Sequence, residues 1–140
     1  MRKKNLPRPT AAELSILSVL WERGPATVRE VQEALNRVKE TGYTTVLKFM
    51  QIMFEKGLVT RDASERSHVY AAALRAEETQ RQLVGDLLER AFGGSPQKLV
   101  LQALSTKKAS PAELAEIRQL IQELEQKTEK ENKRPMGEAI

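Results

Sequence analysis

A chain of 140 residues, 40% hydrophobic and 30% charged, is long enough for one small domain with an appended element and too ordinary in composition for wholesale disorder. The absence of cysteine excludes disulfides, thiolate metal sites and cysteine nucleophiles, and fits a reducing compartment. The net charge of +4 sits in the first half, where residues 1–73 hold 12 Lys/Arg against 8 Asp/Glu while residues 74–140 hold 11 of each, so a polyanionic partner is expected at the N-terminal half.

In chain order, residues 1–9 form a basic arm with Arg2, Lys3, Lys4 and Arg8, expected to be unstructured when free. No signal-type apolar region follows it and no apolar run approaches a membrane span, so no membrane insertion and a cytoplasmic location are expected. Three helix starts share one device, a Ser or Thr followed three residues later by Glu: Thr10 and Glu13, Thr27 and Glu30, Ser110 and Glu113. Pro96 and Pro111 mark first helical positions, where a missing N–H is harmless.

The first helix is predicted over about Ala11 to Arg23, with Leu14, Leu17, Leu20 and Trp21 on one side and a stop at Gly24-Pro25. The second, about Val28 to Val38, carries the apolar stripe Val28, Val31, Leu35, Val38. A third follows Gly42, about Thr44 to Lys56, with Val46, Phe49, Met50 and Met53 turned inward and Thr44, Thr45, Lys48 and Gln51 turned outward. From Leu58 the apolar period falls towards two: Leu58 to Arg61, a polar tip from Asp62 to Arg66, then Ser67 to Ala71 read as a hairpin. Three helices followed by a hairpin is the order of a winged helix-turn-helix, whose third helix enters the DNA major groove.

The rest is helical: about Glu77 to Phe92, with Leu83, Val84, Leu87 and Leu88 expected to be buried; about Pro96 to Leu104; and about Pro111 to Lys127. The last carries Leu114, Ile117, Leu120, Ile121 and Leu124 as one apolar stripe, the pattern of a seam with a second chain. The predicted architecture is therefore mostly α with a small β-hairpin wing: a winged helix-turn-helix over 10–73, helical dimerisation elements over 74–127, and a tail over 128–140 expected to be disordered.

The outward residues of the third helix suit a groove. Thr methyls can touch thymine, Gln51 can bond adenine bidentately, and Lys48 can reach guanine or phosphate. Arg66, at the hairpin tip, is expected on the DNA backbone. No catalytic constellation, no metal-ligand set and no cofactor motif is present; the single histidine, His68, reads as structural, in a strand. The rival reading is a helical protein-interaction module with the winged helix as docking domain, which would place aromatic and aliphatic anchors on the outward face of the third helix.

Thr10-Ala11-Ala12-Glu13-Leu14 with Leu20-Trp21, Tyr43-Thr44-Thr45-Val46, Glu55-Lys56-Gly57-Leu58-Val59, Arg66 with Tyr70, Phe92-Gly93-Gly94-Ser95 with Leu99-Val100, and Ser110-Pro111-Ala112-Glu113-Leu114 together resemble the penicillinase-repressor (BlaI/MecI/CopY) family of bacterial winged-helix regulators over about residues 10–125. The resemblance implies a repressor that binds a palindromic double-stranded operator as a homodimer, paired through its C-terminal helices. It also implies, for some members, a membrane sensor protease that cuts an Asn-Phe bond. Gln102-Ala103 stands at that place here, which speaks against this partner. Copper-responsive members use a cysteine motif that this chain lacks. Ile52 stands near a position where many members carry Arg, so their operator sequences are not transferable.

Overall fold

In a computed structural model, residues 7–133 are described, and the basic residues Arg2, Lys3 and Lys4 and the segment 134–140 lie outside them. The element order is α1 (Ala11–Arg23), α2 (Val28–Asn36), α3 (Tyr43–Lys56), β1 (Val59–Asp62), β2 (Val69–Ala72), α4 (Ala76–Arg90), α5 (Pro96–Thr106) and α6 (Pro111–Asn132). The chain divides into two compact units, 1–91 and 92–140.

The three predicted capping boxes form. Thr10, Thr27 and Ser110 each accept from the backbone N–H of the glutamate three residues on, and each glutamate accepts from the cap's own N–H at 2.9 Å. Gly57 ends α3 at φ 85, ψ 14, a left-handed conformation in which its N–H reaches the carbonyls of Met53 and Phe54. That stop turns the chain sharply, so that buried Leu58 and Val59 lead straight into β1.

The core of the first unit is Ile16, Leu17 and Leu20 from α1, Val28 and Val31 from α2, Val46, Met50 and Met53 from α3, with Leu58, Val59 and Tyr70 closing it from the hairpin. β1 and β2 pair antiparallel, Val59 opposite Ala72 and Asp62 opposite Val69. Ala26, in the short connection after Gly24-Pro25, adds a single antiparallel rung on β2: its N–H donates to the Tyr70 carbonyl at 2.9 Å and Tyr70 returns the bond at 2.8 Å. The wing is thereby fastened to the start of α2 by backbone pairing, which no side-chain pattern announces. The Trp21 indole, half-buried on α1, donates to the Leu74 carbonyl at 2.9 Å and ties down the connection that leaves the wing.

Several expectations change. α2 stops at Asn36, and Val38 is 92% exposed rather than part of the stripe, because the backbone leaves the helix and Asn36 Oδ1 accepts from Thr41 N–H at 2.6 Å. β1 sits one residue later than predicted, since Leu58 is spent on the turn out of α3, and β2 begins two residues later and ends one later. His68 is exposed, just before β2 rather than inside a strand. On α4, Thr79 is the buried residue. Val84 and Leu87 are exposed and Leu83 and Leu88 only half-covered, so the apolar residues expected inside have no full cover within the chain. α4 also groups with the winged helix rather than with the elements after it; Asp86 pairs with Arg8 at 3.3 Å. α6 runs past Lys127 to Asn132, into the segment expected to be a disordered tail, because that stretch lacks helix breakers.

Candidate nucleic-acid interface

α3 is a helix with two unlike faces. Val46, Met50 and Met53 are fully buried and fix its rotation in the core, so the opposite face is set by the 3.6-residue period. On that face Thr44, Thr45, Lys48 and Gln51 are all exposed, and Ile52 is half-buried among them. The structure therefore brings the four helix residues singled out in the sequence onto one surface. Glu55, one turn beyond Gln51, shares it and was not among them; its four-residue spacing from Gln51 is the signal that could have found it. A carboxylate there can accept from a cytosine amino group and repels phosphate, so it bounds the basic part of the face.

The helix begins at Gly42, which offers no side-chain cap, and its first turn holds no acidic residue, in contrast to α1, α2 and α6. Its own first turn thus offers no carboxylate to the positive end of its dipole. Arg66 lies separately, in the exposed tip between β1 and β2. The tip is shaped by Asp62, whose Oδ1 accepts from Ser64 N–H at 2.9 Å, a bond that holds the Asp62 carboxyl below its ordinary range. No group of three or more metal-ligating side chains occurs among the described residues, and no helix among them is long and apolar enough to cross a membrane.

Two arginines outside the sequence-derived set flank α3. Arg61, on β1, places its guanidinium carbon 4.0 Å from the ring centre of Phe54, and Arg29, on α2, lies 5.3 Å from that of Tyr43. Neither contact has a sequence signature, because each joins residues from different elements.

The sequence pattern of the penicillinase repressors matches residues 9–123. The chain belongs to the penicillinase repressor family. It is a DNA-binding transcriptional repressor of that family, not an enzyme. It is 33% identical over 115 residues to the transcriptional regulator BlaI of Mycobacterium tuberculosis H37Rv, covering 81% of this chain and 82% of the relative. It is 19% identical to the penicillinase repressor of Staphylococcus aureus, covering 83% and 92%. Among solved structures it shares its fold with hsRosR-S4, with a TM-score of 0.51, 19% identity and coverage of 82% of this chain and 88% of that one. The solution structure of monomeric Bacillus licheniformis BlaI with the blaP half-operator gives a TM-score of 0.47 at 21% identity, over 54% of this chain and 93% of that one. The winged helix of this penicillinase repressor is the unit that carries α3 and the hairpin.

Proposed function

We propose that the protein represses transcription in the cytoplasm by binding a palindromic operator as a homodimer, with one α3 in the major groove of each half-site. The observation that carries this is the two-faced α3: one side is sealed into the core while the other presents Thr44, Thr45, Lys48 and Gln51 to solvent, all hydrogen-bonding and none acidic. Base edges in the major groove offer the matching donors, acceptors and methyl groups. Arg66 at the wing tip supplies a backbone contact that fixes register without reading sequence.

Pairing is supported by the second unit. None of the residues of α5 or α6 is buried, and Leu114, Leu120, Ile121 and Leu124 are 40–54% exposed along one helix, with Ile117 half-covered between them. A stripe of this kind is unfavourable in water and is relieved by a second copy. A symmetric dimer then accounts for a palindromic site. In the protein-docking alternative, aromatic anchors belong on the outward face of α3; the two exposed aromatic residues of that helix, Tyr43 and Phe54, instead lie on its flank beneath arginines.

The test is selection of duplexes from a random library by the full chain, followed by titration of the selected duplex and a scrambled one, with sedimentation of protein alone and of the complex. A selected palindrome bound at two chains per duplex is expected. Equal affinity for selected and scrambled DNA would overturn the reading.

A further inference from the structure

The two aromatic-seated arginines point to a function beyond the base-reading face. Tyr43 and Phe54 are three helical turns apart, about 16 Å along the axis, and so fall on the same flank of α3. That flank borders the exposed face, since Phe54 follows Gln51 by three residues and Tyr43 precedes Thr44. Each ring holds an arginine delivered by a neighbouring element, Arg29 from α2 and Arg61 from β1.

The character of these contacts matters. Among the described residues, Arg8, Arg23, Lys56, Arg75 and Lys133 are all paired with carboxylates, which cancel their charge. An aromatic face orients a guanidinium without neutralising it and leaves the in-plane N–H groups open. Arginine in that state is suited to a bidentate contact with a phosphate. We infer that Arg29 and Arg61, held over Tyr43 and Phe54, are two phosphate clamps on one flank of α3 that grip the DNA backbone beside the groove the helix enters.

Phe54 and Tyr43 are positioning residues in this scheme. They keep two flexible side chains at a fixed separation, so that less freedom is lost when the backbone docks. The inference rests on DNA binding through α3 but not on any operator, because phosphate contacts are independent of sequence.

The experiment uses the full chain and a mixed-sequence 30-base-pair duplex, with affinity measured by fluorescence anisotropy at several salt concentrations for wild type, Arg61→Ala, Arg29→Ala, Phe54→Leu, Phe54→Tyr and the double variant Phe54→Leu/Arg61→Ala. Each arginine variant is expected to lower the slope of log affinity against log salt by about 0.9 per lost contact. Phe54→Leu, which keeps the charge, is expected to weaken binding severalfold, Phe54→Tyr to restore it, and the double variant to be no weaker than Arg61→Ala alone. Sedimentation and circular dichroism of each variant confirm that the exposed substitutions leave the fold intact.

Salt slopes equal to wild type in both arginine variants overturn the clamps. Additive losses from Phe54→Leu and Arg61→Ala overturn the positioning role. A wild type that binds this duplex with the expected variant slopes but selects no operator would sink the operator reading and leave the clamps standing.

Discussion

The ammonium of Lys56, in the last turn of α3, lies 2.7 Å from Oε1 of Glu13 in the first turn of α1, and the glutamate is only 3% exposed. The same carboxylate oxygen accepts the Thr10 N–H at 2.9 Å, so one buried group both caps α1 and anchors the end of the proposed recognition helix. Each charge also sits at the favourable end of its helix dipole. Burial alone raises the Glu13 pKa, but the Lys56 and Thr10 hydrogen bonds outweigh it and hold the carboxyl below its ordinary value of 4.5.

Replacing Lys56 by Met should therefore leave a buried carboxylate with half its partners and destabilise the domain by about 1–3 kcal/mol. The pH dependence follows from the sign of the shift. A depressed folded pKa contributes stability that is present above the unfolded value of about 4.5 and is lost as pH falls through the lower folded value. In Lys56→Met the folded value rises, because burial is then less opposed, so this group's share of the acid loss should shrink, and it should reverse sign once the folded value exceeds the unfolded one. Urea midpoints from pH 3 to 7 read both effects; identical acid limbs in the two proteins would remove Glu13 from the account.

Gly57 should resist substitution for a backbone reason. Its φ of 85 lies where a Cβ is strained, although no atom stands within 4 Å of where one would be built. Gly57→Ala is expected to lower stability by about 1 kcal/mol through conformation alone, measured by denaturant unfolding at constant m. A neutral result would mean that the turn after α3 relaxes freely.

Base reading and backbone holding should fail differently. Gln51→Ala or Thr45→Ala is expected to lose roughly 1–3 kcal/mol on a selected duplex and to relax preference at one position. Arg66→Ala should weaken selected and scrambled duplexes alike and lower the salt slope by about 1. If Gln51→Ala and Arg66→Ala lost specificity in parallel with unchanged slopes, the division of labour between helix and wing would be wrong.

The C-terminal stripe is tested by charge. A fully buried Leu or Ile is worth roughly 1.5–3 kcal/mol before the cost of association is subtracted. Ile121→Glu with Leu124→Glu, or truncation after Lys108, should turn a dimer into a monomer at micromolar concentration in the ultracentrifuge. A dimer that survives both changes has its seam elsewhere.

Proteolytic release at Gln102-Ala103 is not expected. Both residues are exposed within α5, and the Gln102 carbonyl accepts from Thr106 Oγ1 at 2.6 Å, which adds to the helix at that bond. A fragment ending at Gln102 in induced cells, found by mass spectrometry, would reverse this.

Local chemistry made much of the molecule readable from its residues. A capping box is completed within four residues, a glycine stop within one, and the inward stripe Val46, Met50, Met53 by the helical period, so the helices, their order and the outward set Thr44, Thr45, Lys48, Gln51 follow without a fold in hand. Tertiary structure decided what joins distant segments. The Ala26–Tyr70 rung is made by backbone groups that every sequence carries. The exposure of Val38 depends on where α2 stops, and the pairing of buried Glu13 with Lys56 and the rings beneath Arg29 and Arg61 depend on which elements meet. Periodicity records which side of a helix is apolar, whereas only packing determines what that side, or its flank, is placed against.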